Sequence, residues 1–240
     1  LPENPLLPHN KLKELYLLML RCRELERKRA KSKTGAREAL LAATSIHLLP
    51  GDLLCGSPDD AIAEELAPVG KTGKIPGYVS AELEQRLPVC AALARGLQAA
   101  GTDGVVLTYA HAKAAEPGWM NALSWSQEAG LPLILVCADA TGWAGSKVAG
   151  KRSWNQLTWG AVSKLSKKTR IPILAVDGED AVAVYRCMQE SVIRARNGGG
   201  PAILWAVMTP TAKTLPRGRQ PLARLESYLK VRNIKLPKRS

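Results

Sequence analysis

Leu131-Pro-Leu-Ile-Leu-Val-Cys-Ala138 is a short, almost unbroken apolar run, closed on one side by Gly130 and on the other by Asp139. A strand with one wet face would alternate apolar and polar residues, whereas a strand covered on both faces reads as continuous Val, Ile and Leu. Three further runs have the same character: Gly104 to Tyr109, Ile171 to Val176 and Ala202 to Val207. Between them lie helix-length segments, Pro117 to Ala129, ended by Gly130, and Glu179 to Asn197, ended by Gly198 to Gly200. Glycine after the last helical residue is a common stop, because it accepts the left-handed conformation there. Strand and helix in alternation predict an α/β protein with a parallel sheet flanked by helices.

Upstream of this core, Leu12, Leu15, Met19, Cys22 and Leu25 recur at helical spacing, predicting a helix from Lys11 to about Arg29 with Asn10 as its N-cap. A second helix is expected from Ala36 to Leu49, stopped by Pro50-Gly51. Asp60 to Gly77 reads as a loop, since Gly70, Gly73, Pro76 and Gly77 interrupt any period. A helix including Pro88 to Ala100 ends at Gly101, and a last one covers Pro221 to Val231 ahead of a basic tail. At 240 residues, the expectation is one domain over positions 1–240.

Composition narrows the function classes. Hydrophobic residues make up 46% and charged residues 23%, the balance of a folded globular chain. No apolar run approaches the ~20 residues that span a bilayer, so no membrane role is expected and the cytoplasm is the default address. The five cysteines include no Cys-x-x-Cys pair, and the three histidines lack metal-ligand spacing, so neither a disulfide framework nor a zinc site is predicted. The net charge of +13 suits an anionic partner. Its basic residues are spread along the chain, and without a recognition motif specific nucleic-acid binding is not expected.

Ligands of open parallel sheets sit at the carboxyl ends of the strands, which points to the loops after Tyr109, Ala138, Val176 and Val207. Several segments in order resemble one family. Met19-Leu-Arg-Cys-Arg-Glu-Leu-Glu26, Thr34-Gly-Ala-Arg-Glu-Ala39 with Pro50-Gly-Asp52, Leu87 to Gly96 leading into Val105 to Tyr109, Leu131 to Cys137, Val176-Asp-Gly-Glu-Asp180, Gly200 to Leu204 and Pro221 to Leu229 are similar to the alpha subunit of thiamine-diphosphate-dependent 2-oxo acid dehydrogenases. The resemblance implies the thiamine-diphosphate-binding fold, a site for the diphosphate and Mg²⁺, and a beta subunit that completes it.

The same resemblance exposes departures. Where the family has Gly-Asp-Gly after the strand, this chain has His111, Ala112 and Lys113, and the ligand asparagine falls at Ala140. The family's Tyr-Arg pair on the diphosphate aligns with Pro58-Asp59. The glycine-rich segment with the active-site histidine is missing between Asp60 and Leu87, and after Val207 stands Met208-Thr-Pro-Thr-Ala-Lys213, without histidine. Magnesium asks for octahedral oxygen ligands, and methyl groups supply none. No catalytic residue and no metal ligand is therefore assigned, and Asp139, one position early, is expected to point elsewhere. Lys113 and His111 are the residues left that could meet a bound anion, although a solvated loop lysine and a structural histidine are the plainer readings. The expectation is a divergent family member without cofactor, acting as a structural or interaction subunit beside a copy of itself or a beta-type subunit. Trp143, Trp154 and Trp159 could fill the vacated cavity or meet the partner. Two alternatives stand beside it: an active thiamine diphosphate and Mg²⁺ dependent dehydrogenase with an atypical site, and a basic nucleic-acid-binding module.

Overall fold

The computed structural model describes residues 7–28, 37–55, 61–66, 73–74, 83–111, 117–139, 164, 166–209 and 220–237. In chain order the elements are α1 (His9–Lys28), α2 (Glu38–Ser45), β1 (Leu53–Cys55), α3 (Ala61–Leu66), β2 (Gly73–Lys74), α4 (Leu83–Ala99), β3 (Val106–His111), α5 (Pro117–Glu128), β4 (Leu133–Asp139), β5 (Ile173–Asp177), α6 (Ala181–Arg196), β6 (Ala202–Val207) and α7 (Pro221–Val231). The strands form one six-stranded sheet in the order β2-β1-β3-β4-β6-β5. Every pairing is parallel, as continuous apolar strands with helical crossovers require.

Strand alternation sorts side chains onto two buried faces. Leu107, Tyr109, Ile134, Val136, Leu204 and Ala206 share one cluster with α1, α2, α6 and α7. Val106, Ala110, Leu133, Leu135, Cys137, Ile203 and Trp205 share the other with α4 and α5. Burying each such Val, Leu or Ile contributes roughly 1.5–3 kcal/mol, so the sheet centre is where the fold is held. α6 shows how a helix joins it: Asp180 caps the N-terminus, its Oδ1 accepting from Val182 N and Ala183 N, and Val184, Met188, Val192 and Ala195 supply the buried stripe.

The α/β architecture and the parallel sheet are as expected. Three local expectations change. Asp60 to Gly77 is not wholly a loop, since it carries α3 and β2. Ile62, Ala63 and Leu66 bury one side of a six-residue helix, a pattern too short to show as a period. β2 pairs with β1 through its backbone, and a two-residue strand containing glycine leaves no apolar signal. The second helix is shorter than expected and ends at Ser45, and α1 starts at His9, with Asn10 inside it bonding Lys11 N at 2.9 Å. Among the described residues, no helix is long and apolar enough to cross a membrane.

Candidate functional site

β1 runs to β2 on one side of the sheet while β3 runs to β4 on the other, so the chain changes direction between β1 and β3. Crevices outside the carboxyl ends of strands at such a reversal are where open α/β sheets take ligands. Cys55 ends β1 there, level with Thr108 of β3. Thr108 donates its hydroxyl proton to Cys55 O at 2.6 Å and accepts from Arg86 Nε at 3.1 Å. A second nitrogen of the same guanidinium bonds Tyr109 O. Arg86 is only 3% exposed, a cation brought from α4 into an otherwise apolar cluster.

Tyr109 points to the opposite face, where its hydroxyl meets Thr44 Oγ1 at 2.7 Å. The Thr44 hydroxyl has one proton and sits 2.8 Å from Leu40 O, so Tyr109 is the donor of the pair. Cys90 lies one helical turn after Arg86, fully buried in the same cluster as Cys55. The Cys90 thiol and, less strongly, the Arg86 charge push the Cys55 thiol below its usual range against the opposing effect of burial.

At the end of β4, Asp139 is 1% exposed and accepts from Trp205 Nε1 at 3.0 Å. Trp205 belongs to the cluster under α4 and α5, and Asp139 shares that face of β4 with Leu133, Leu135 and Cys137. Its backbone carbonyl accepts from Met208 N at 2.8 Å. Beyond β5 and β6, buried Glu179 accepts from Thr209 N at 2.8 Å, and burial raises its pKa. Arg224 spans Asp177 and Asp180 at 2.8 and 2.9 Å. These contacts tie α7 and the β6 exit to the turn after β5.

The structure places His111 as the last residue of β3, its backbone level with Ala138. Its side chain lies outside the described residues, as do Ala112, Lys113, Ala140, Pro58, Asp59, the three tryptophans Trp143, Trp154 and Trp159, and Lys213. Sequence reading missed Arg86, Cys55 and Cys90. Arg86 and Cys90 stand four apart, hence on one helix face, and an arginine in register with a buried cysteine was the available signal.

Tested against magnesium diphosphate, the described end of β4 does not fit: the Asp139 carboxylate is turned to an indole. Among the described residues no three His, Cys, Asp or Glu side chains come together as a metal site.

A parallel sheet covered on both sides, with its reversal between β1 and β3, defines the class: this is the thiamine-diphosphate-binding fold. A solved structure of benzoylformate decarboxylase from Polynucleobacter necessarius shares it, with a TM-score of 0.50 and 15% identity over 73% of this chain and 34% of that one. A thiamin diphosphate-dependent enzyme from Mycobacterium smegmatis aligns with a TM-score of 0.48 and 14% identity, covering 71% of this chain and 32% of that one. Residues 72–209 match the model of the Dehydrogenase E1 component family, and the chain belongs to that family. The alpha subunit of acetoin:2,6-dichlorophenolindophenol oxidoreductase from Bacillus subtilis is 50% identical over 34 residues, 14% of this chain and 10% of that protein. The chain thus spans about a third of the solved structures it matches.

Proposed function

We propose that this chain is an alpha-type E1 subunit that has given up magnesium diphosphate and serves as a structural or interaction subunit. The observation that carries the reading is the commitment of Asp139: the carboxylate at the end of β4 is held by Trp205, 3.0 Å away on a buried face. With alanine at positions 112 and 140, no side-chain oxygen stands at the two ligand positions that the resemblance implies. Burying the negative diphosphate without a metal costs several kcal/mol per uncompensated charge. Lys113 and His111 are the side chains that would answer it in part, by contacting an anion at the end of β3. The B. subtilis relative is named as a subunit alpha, which supports a partner for this chain, a beta-type subunit or a second copy. Its default address is the cytoplasm.

Thermal unfolding tests the reading. A ligand at 100 times its Kd stabilises the folded state by about 2.7 kcal/mol, which thiamine diphosphate with Mg²⁺ would register as a clear rise in Tm. The expected result is no rise, for the purified chain and for the complex recovered from its native source. A rise in either preparation identifies the other candidate, a working dehydrogenase whose site is completed differently.

A further inference from the structure

β5 ends the sheet: it is bonded to β6 on one side and to no strand on the other among the described residues. An open edge presents a row of unpaired backbone N–H and C=O groups, and proteins that remain monomeric blunt such edges with lysine, proline or a bulge. Ile173-Leu-Ala-Val-Asp177 contains neither lysine nor proline, and Ile173, Leu174 and Ala175 are only half-buried. A groove of about 900 Å³ lies along this edge. Ala175 and Val176 of β5, Val182, Ala183 and Ile193 of α6 and Tyr228 of α7 give it apolar walls, and Ile193 is 54% exposed.

We infer that this groove is the contact surface for a second copy of the chain, which lays its own β5 antiparallel to this one about a two-fold axis, with the two α6 helices side by side. Two observations select a copy over another occupant. The first is the pattern of α6. Arg186 and Glu190 are both exposed on the groove side, one helical turn apart. An axis level with Met188 sets Arg186 of each copy opposite Glu190 of the other, and Ala183 opposite Ile193. Charges and apolar groups each meet their complement, which is what a two-fold interface asks of a single surface.

The second observation is where the net charge lies. A chain of +13 is repelled by its copy in most orientations. In the groove, however, Asp177, Asp180 and Glu190 stand beside Arg186, and Arg224 reaches Asp177 and Asp180 at 2.8 and 2.9 Å. Copies that meet here meet at a face close to neutral. One axis also serves strand and helix together. Counted from the turn that joins them, Ala175 lies roughly 7 Å along β5 and Met188 roughly 10 Å along α6, from the rise per residue of strand and helix.

The inference rests on the subunit reading for there being a partner, and deepens it by naming that partner and its surface. The two fail separately. A Tm rise with thiamine diphosphate would sink the cofactor reading and leave the pairing untouched, whereas the test of the pairing reads mass.

That test is sedimentation equilibrium of the full chain across the micromolar range, with the mass of two chains as the expected result. Ile193→Asp removes an apolar contact, and Arg186→Glu sets like charges against each other, so each should raise the dimer dissociation constant about tenfold or more. Both positions are exposed, so both variants should fold, as circular dichroism will check. Combining Arg186→Glu with Glu190→Arg restores opposed pairs and should bring the constant back towards that of the parent. A parent that stays monomeric throughout, as it would if a beta-type subunit or another segment of the chain filled the groove, overturns the inference. So does a dimer that neither single substitution weakens, or a charge swap no tighter than Arg186→Glu.

Discussion

Asp52 and Arg196, 144 residues apart, meet at 2.6 Å and lock the beginning of β1 to the last turn of α6. Asp52 is fully buried and its two oxygens also accept from Leu49 N at 2.7 Å and Val105 N at 2.9 Å. One carboxylate therefore fixes the turn into β1, the approach to β3 and the end of a helix. Asp52→Ala takes the acceptor from the buried Val105 amide and from the Leu49 amide and leaves the nearly buried Arg196 guanidinium without its counter-ion, and breaking such a pair costs about 3–5 kcal/mol. Asp52→Asn keeps an acceptor for an amide and should lose clearly less. Urea unfolding midpoints of the two variants, compared with the parent, check the order. Equal losses would mean that the charge, absent from both variants, carries the effect and that the acceptor kept by asparagine contributes little.

The same junction makes Gly104 a steric requirement. A Cβ there would stand 2.7 Å from Gly51 O and 3.4 Å from Leu97 Cδ1. The neighbouring backbone cannot retreat, because Val105 N is held by Asp52. Gly104→Ala is expected to destabilise by about 1–3 kcal/mol, the range for forced overpacking. Gly96, whose Cβ would meet nothing within 4 Å, is the control, and Gly96→Ala in mid-helix should be neutral or stabilising. A thermal melt that ranks the two alike would refute the steric account.

How much of this could be read beforehand followed the range of the interactions. Continuous apolar runs gave β3, β4, β5 and β6 to within a few residues, because burial on two faces leaves a signal in every position of the strand. β1 and β2 escaped, since Leu53-Leu54-Cys55 and Gly73-Lys74 become strands only by pairing with β3 and with each other. The site divided in the same way. The sequence offered Asp139 as a carboxylate next to the implied ligand position, and its bond to the indole of Trp205 could not be read there, because 66 residues separate the two. Arg86 needed three dimensions, because nothing local ties residue 86 to residue 108. His111 and Lys113 remain proposals as anion contacts.

Trp205→Phe tests the Asp139 commitment. Phenylalanine preserves most of the ring packing and removes the Nε1 donor 3.0 Å from Asp139 Oδ2. A buried acceptor that loses a partner costs about 1–3 kcal/mol, to be read from denaturant unfolding followed by circular dichroism. A variant as stable as the parent would show that the indole bond does not hold the carboxylate.

Acid stability has a source in His47. Burial lowers its pKa to about 4, against the lesser opposite effect of its bond to Tyr185 O at 3.1 Å. The Tyr185 ring lies 4.2 Å from the imidazole, leaving little room for a hydrated cation. A folded pKa below the unfolded value of 6.5 means that the unfolded chain takes up the proton first as pH falls. The contribution is therefore complete above about 6.5 and lost progressively towards 4. His47→Gln, which cannot titrate, should flatten this limb in urea midpoints measured across the window, at a cost near neutrality of about 1 kcal/mol for the altered contact. An unchanged slope would assign acid sensitivity elsewhere.

Glu26 drives stability the other way. Burial comes first among the causes that raise its pKa to about 7, followed by the carboxylate of Glu38, while Arg37 and Arg23 pull it back. Glu38 already holds Arg23 through two nitrogens at 2.8 Å, and Glu26 Oε1 is buried without a hydrogen-bond partner among the described residues. The folded chain thus keeps a proton on Glu26 that the unfolded chain releases near 4.5. Between these values the folded state binds more protons, so stability falls as pH rises and settles at its lower level above about 7. The loss amounts to about 1–2 kcal/mol once solvent screening of the partly exposed side chain is allowed for. Glu26→Gln carries no such charge, so it should match the parent near pH 4 and exceed it at pH 8. Urea midpoints of both proteins over that range measure the difference, and parallel curves would mean that Glu26 ionises at an ordinary carboxylate pH.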